Sequence, residues 1–221
     1  MNVRYCRIIW NYLILQKGGD VVRNRIILIA LTGIFVLCGL SSWSFAGASV
    51  EFEANFTINI EGEETESGRI YVKGQKFRQE VEEDGVARIV ISEGLQGNVL
   101  VILPEEEAYL KIPLDGWNVA MDQKRAEETL QGKAVMENLG KEKVNGYDCN
   151  KYRYTYRDPD MGVMIVWFSE KLQASIKHIQ TGPSGTSEMI LSDIKEHTIP
   201  DHLFEVPKGY QEMNIFAPGG K

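Results

Sequence analysis

Three histidines, one cysteine and a glycine-bearing loop are the groups in this chain best suited to chemistry. His197 and His202 lie in a stretch with Glu196 and Asp201, a donor set that could be drawn around a metal ion. Pro200 splits them in an apparent loop, so the regular helical spacing of zinc ligands is missing. His178 falls in a strand-like run. Cys149, in "NGYDCNKY", has no histidine beside it in sequence to activate a thiolate and reads as a half-buried strand residue. The loop "TGPSGTS" lacks the lysine and following helix of a phosphate loop and reads as a flexible hairpin turn. No stretch matches the strained serine elbow of esterases. Carboxylates are plentiful, but none can be paired face to face from spacing alone. These residues predict no catalytic group, no metal site and no cofactor, hence a protein that is not an enzyme.

The elements that would position such groups are mostly strands. "VEFEANFTINI" alternates without error: Val50, Phe52, Ala54, Phe56, Ile58 and Ile60 are apolar and the residues between them polar. A period of two gives a strand with one dry and one wet face. "GRIYVKG" and "QKFRQEV" follow around Gly74, and Asp84–Gly85 is a hairpin signal feeding "VARIVI". "NVLVIL" stops at Pro104 and "EEEAYLKI" runs into Pro113. After position 139 the strands resume with a hairpin at Asn145–Gly146, the tyrosine-bearing "YRYTYR", "VMIVWFS", "ASIKHIQ" and "EMILSDIKEH". Between the two sets, Met121 to Leu139 is rich in helix formers, with a loose apolar stripe (Met121, Ala126, Leu130, Ala134, Leu139) and a break expected at Gly132. Val99–Leu103 and Val163–Phe168 are apolar on both faces, so each needs a cover, for which the Met121–Leu139 helix is the expected source. The fold class expected is mainly β (α+β): a curved antiparallel half-barrel of about ten strands with a helical lid.

The start of the chain is of another kind. Arg23 and Arg25, an apolar run from Ile26 to Leu40 and a small-residue end describe a secretory signal peptide over 21–46, cut after Ala46 or Ala48. The run is short for a bilayer span of roughly 20 residues. Leu37 before Cys38 argues against a lipid anchor at that cysteine. Residues 1–20 fit neither leader nor domain and read as an upstream extension ahead of a start at Val21 or Val22. The domain is then 47–221, exported to the periplasm and no integral membrane protein after cleavage. Removing the five basic residues and one acidic residue of positions 1–46 moves the formal charge from −7 to −11. Such acidity repels nucleic acid and anionic headgroups. Cys149 remains alone, so no internal disulfide supports the core.

"LGKEKVNGYDCNKYRY", "VMIVWFSEKLQASIKHI" and "IPDHLFEVPKGYQ" together resemble the LolA/LolB-like superfamily of periplasmic lipoprotein carriers, and a shorter branch of it without assigned function. The likeness runs roughly from Val50 to Gln211, and Phe204, Pro207, Gly209 and Tyr210 carry its closing motif. Read physically, Phe204 anchors that segment in the core, Pro207 stops strand pairing and Gly209 permits a turn. The resemblance implies an unclosed half-barrel whose concave apolar face takes lipid or lipoprotein acyl chains. The pocket wall expected is Phe52, Phe56, Ile58, Ile70, Val72 and Trp117. Related domains act as envelope-stress sensors, so the alternative expectation is a protein-interaction domain with a sealed core and no ligand, partnered by another envelope protein. The chain departs from the carriers in beginning its first strand almost at the cleavage site, where they have a helix.

Overall fold

β1 (Ala48–Ile60) follows the alternation of its sequence, with Phe52, Ala54 and Phe56 buried and Glu51, Glu53 and Asn55 turned partly to water. The structure, a computed structural model, describes residues 48–63, 65–83, 86–93, 98–113 and 132–213. The upstream extension, the leader, Trp117 and the 121–131 part of the expected helix lie outside the described residues.

The remaining strands are β2 (Glu66–Gly74), β3 (Lys76–Glu83), β4 (Val86–Glu93), β5 (Asn98–Leu103), β6 (Ala108–Pro113), β7 (Ala134–Val144), β8 (Tyr147–Tyr156), β9 (Val163–Ser169), β10 (Ala174–Gly182), β11 (Gly185–Glu196) and β12 (Gln211–Met213). They form one curved, unclosed sheet in the order β12-β6-β5-β4-β3-β2-β1-β11-β10-β9-β8-β7. Two antiparallel meanders, β1 to β6 and β7 to β11, are thus joined where β1 pairs with β11, with Phe56 opposite Leu191 and Ile58 opposite Met189. The expected mainly-β half-barrel is what the chain forms. β12, inside the closing motif, was not anticipated as a strand and is parallel to β6.

Hairpin chemistry is local and legible. Asn145 and Gly146 sit at φ 46° and 87° between the paired Val144 and Tyr147, the left-handed pair that a two-residue turn needs. Pairing of Glu83 with Val86 sets a two-residue connection at positions 84 and 85, outside the described residues. "TGPSGTS" is a tight hairpin in which Gly182 pairs with Gly185. Gly68 of β2 is required for another reason. The Phe56 ring occupies the space over it, and a β-carbon there would sit 2.8 Å from that ring and collide with the Glu80 carbonyl oxygen.

The expected helix is corrected at its C-terminal end. Ala134–Leu139 belongs to β7, where Ala134, Met136 and Asn138 face Tyr156, Tyr154 and Tyr152 of β8. Gly132 turns the chain into that strand at φ 78°. Cross-strand pairing with a tyrosine-bearing strand overrides helix propensity here, as tertiary context commonly does.

One face of β5 has a cover that the sequence did not indicate. Val99, Val101 and Leu103 are buried on one face, while Leu100 and Ile102 on the other pack beneath the chain's own C-terminal segment. Ile199 and Phe204 join Tyr71, Ile91 and Ile102 in a separate core there. The strap is tied down through its main chain. Lys73 Nζ donates to the Ile199 carbonyl at 2.9 Å, Arg78 donates to the Leu203 carbonyl at 2.7 Å, and the Gln211 amide donates to the Glu107 carbonyl at 2.9 Å. Phe204 anchors the segment as read from sequence, and Gly209 takes φ 94° in the turn after Pro207. On β9 the second dry face belongs to Trp167, whose ring lies under the Lys151 and Lys177 ammonium groups, 4.6 and 5.4 Å from its centre. Among the described residues no helix is long and apolar enough to cross a membrane.

Candidate functional site, the inner face of the sheet

The face opposite the strap, called the inner face here, is built by strand alternation. Across one line of register, Leu110, Val101, Val90, Gln79, Ile70 and Ala54 stand side by side on β6, β5, β4, β3, β2 and β1. A second line runs from Ile58 of β1 through Met189, His178 and Val166 to Tyr152 of β8. Together they make an apolar lane over ten adjacent strands. Five of the six expected wall residues lie in it: Phe52, Phe56, Ile70 and Val72 are wholly buried in one cluster, with Ile58 packed half-buried against them. The structure brings these five together. Trp117 lies outside the described residues.

Two polar residues interrupt the lane, and sequence reasoning missed both as site residues. Gln79 is 0% exposed, and neither its amide nitrogen nor its amide oxygen has a hydrogen-bond partner among the described residues. His178 is buried between Val166 and Met189, and its Nδ1 likewise has none. Burial pushes the His178 imidazole down to about 4, so the ring is neutral at physiological pH. A signal was present in the chain. Gln79 falls in phase with Phe77 and Val81, and His178 with Ile176, each a polar residue where the alternation calls for an apolar one.

The other candidates resolve into structural roles. His197 Nε2 is 3.7 Å from Glu53 and its Nδ1 is 3.0 Å from the Thr198 carbonyl, while His202 is exposed on a 3-10 turn (Asp201–Phe204). Among the described residues no three histidine, cysteine or acidic side chains gather as metal ligands. A cleft of about 510 Å³ at the β7–β8 hairpin is lined by Lys141, Tyr147, Asp148, Asn150, Lys171 and Glu196 among others. Two of its charged groups are paired with each other: Glu196 accepts from Lys171 at 2.6 Å, and also from Tyr147 Oη at 2.7 Å. Cys149 is buried on β8, and burial pushes its thiol up to about 11. Its reaction with a maleimide at neutral pH is therefore expected to be at least about a hundredfold slower in the folded protein than in urea, from ionisation alone. Equal rates in the two conditions, followed by mass spectrometry, would refute its burial.

An unclosed, almost wholly antiparallel sheet with a strapped outer face and an apolar inner lane defines a half-barrel domain. The chain belongs to the family described as "Domain of unknown function (DUF4412)", which it matches over residues 52–176. Among solved structures it is similar to an uncharacterized conserved protein from Thermus thermophilus, 13% identical over 82% of this chain and 98% of that one, with a TM-score of 0.54; the two share a fold. It is also similar to the Pseudomonas aeruginosa MucA/MucB complex, 14% identical with a TM-score of 0.48, covering 76% of this chain and 58% of that one. The chain thus spans little more than half of the matched chain in that complex. The LolA superfamily protein NE2245 from Nitrosomonas europaea is 14% identical over 78% of this chain and 96% of that one, with a TM-score of 0.36. A comparison with curated proteins found no match.

Proposed function

We propose that this protein acts in the periplasm as a binder of a hydrophobic ligand, a lipid or the acyl chains of a lipoprotein, taken on the inner face of its half-barrel. The observation that carries this reading is the apolar lane itself, which runs over ten strands of a sheet that does not close on itself. Phe52, Phe56, Ile58, Ile70 and Val72 are its floor, with Trp117 as a further wall residue. A hydrocarbon chain laid there would gain about 0.8 kcal/mol per methylene removed from water, before the costs of ordering it. A chain of about ten carbons would then bind usefully. The leader supports the compartment, and the acidic domain surface disfavours nucleic acid as a partner.

Organic extracts of the purified protein, read by mass spectrometry, test the proposal alongside uptake of a fluorescent fatty acid. A defined lipid in the extract or saturable uptake is the expected result. Clean extracts with no uptake would overturn it. A single stoichiometric envelope protein bound to such an empty domain would then favour the sealed-core sensor.

A further inference from the structure

The orphaned amide of Gln79 points to the chemistry of the ligand's polar end. Native proteins pair nearly all their buried polar groups, and an exception calls for a reason. Gln79 sits in the middle of the inner face, opposite Val90 of β4 and Ile70 of β2, with Phe77 and Val81 two residues to either side on β3. Its amide leaves both a donor and an acceptor unused among the described residues. Arg88, buried on β4 opposite Val81, has a partner of its own. Gln79 is therefore the group in this part of the lane with both hydrogen-bonding valences open.

A primary amide presents an N–H and a C=O side by side along one edge. Its complement must carry an acceptor and a donor side by side as well. A carboxylic acid does so, accepting from the amide N–H through its carbonyl while its O–H donates to Oε1. An ester has acceptors only. A trans secondary amide points its N–H and C=O in opposite directions. Removal from water favours the neutral form of a carboxylic acid, the form that carries the needed O–H. A site that hydrogen-bonds a buried polar group also discriminates strongly against an analogue lacking it, because its own polar atoms are then left unpaired.

We infer that Gln79 is the headgroup anchor for a free long-chain carboxylic acid, held by two parallel hydrogen bonds with its chain lying along the apolar lane. This rests on the proposed hydrophobic-ligand function and narrows it from acyl chains in general to the unesterified acid. Calorimetric titration of the delipidated protein with hexadecanoic acid and with methyl hexadecanoate, each below its aggregation concentration, tests it. The wild type is expected to bind the acid at least tenfold more tightly than the ester. Gln79→Met, of similar length and without polar atoms, is expected to weaken the acid at least tenfold and abolish its advantage over the ester, with an unfolding midpoint equal to or above that of the wild type. Equal affinities in the wild type would overturn the anchor and leave the proposed function standing, a comparison that needs no variant. Unchanged acid binding by Gln79→Met would overturn the anchor too. Failure of both ligands to bind would remove the hydrophobic-ligand reading together with this inference.

Discussion

Phe204→Ala is expected to lower the unfolding free energy by about 3–5 kcal/mol, the range for emptying a buried aromatic site. Phe204 is 8% exposed and packs with Tyr71, Ile91, Ile102 and Ile199, so its ring is the apolar anchor of the whole strap. The polar ties from Lys73 and Arg78 to strap carbonyls remain in the variant, but each such bond contributes only about 1–3 kcal/mol net. They also depend on the strap staying where the ring holds it. Its loss would wet the outer faces of β2, β4 and β5 and loosen the parallel pairing of Gln211–Met213 with Ala108–Leu110. Urea unfolding followed by tryptophan fluorescence would read the loss. Amide exchange at Gln211 and Met213 would show the strap opening before the sheet does. A loss below about 1 kcal/mol, with protected amides at both positions, would mean the outer face does not need this cover.

How far the fold could be read depended on the range of the interaction that decides each element. β1 and the Asn145–Gly146 turn are specified locally, by alternation and by backbone preference, and both were legible. Val99–Leu103 showed only that two faces were dry. That the cover over its Leu100 and Ile102 face comes from residues 199–210 is a contact across some hundred residues, which periodicity does not encode. Ala134–Leu139 misled for a physical reason: it is an exposed edge strand whose Glu, Met, Leu and Ala also suit a helix, and only its partner Tyr152–Tyr156 decides the matter. The wall residues of β1 and β2 were found because a strand's dry face is visible in its spacing. Gln79 and His178 were passed over because a polar residue in an apolar phase reads as an imperfection of a strand until its burial is known.

His178 should make stability depend on pH in a window set by its own shift. Unfolded, the ring takes up a proton near 6.5; folded, burial holds this back to about 4. Above pH 6.5 both states are neutral there and the full stability is present. As pH falls from 6.5 toward 4 the unfolded chain binds the extra proton first, so stability is lost, reaching about 3 kcal/mol once both states are protonated. The groups directly opposite on the neighbouring strands are Val166 and Met189, neither of which can pair with an imidazolium. Paired carboxylates such as Glu196 and Asp201, held below their ordinary values by Lys171 and Lys73, also withdraw support in acid, so the wild-type curve alone is not diagnostic. The difference between wild type and His178→Leu is. That variant should track the wild type in shape above pH 7 and gain on it steadily from pH 6.5 to 4, by about 3 kcal/mol in urea melts. Parallel curves over that interval would show that the ring is wetter than its place between β9 and β11 indicates. A gain of the expected size would show that the inner lane keeps a polar group at a measurable cost. Buried polar atoms left without partners on this face among the described residues, His178 Nδ1 and the Gln79 amide, favour a lane shaped for a ligand over one shaped for stability alone.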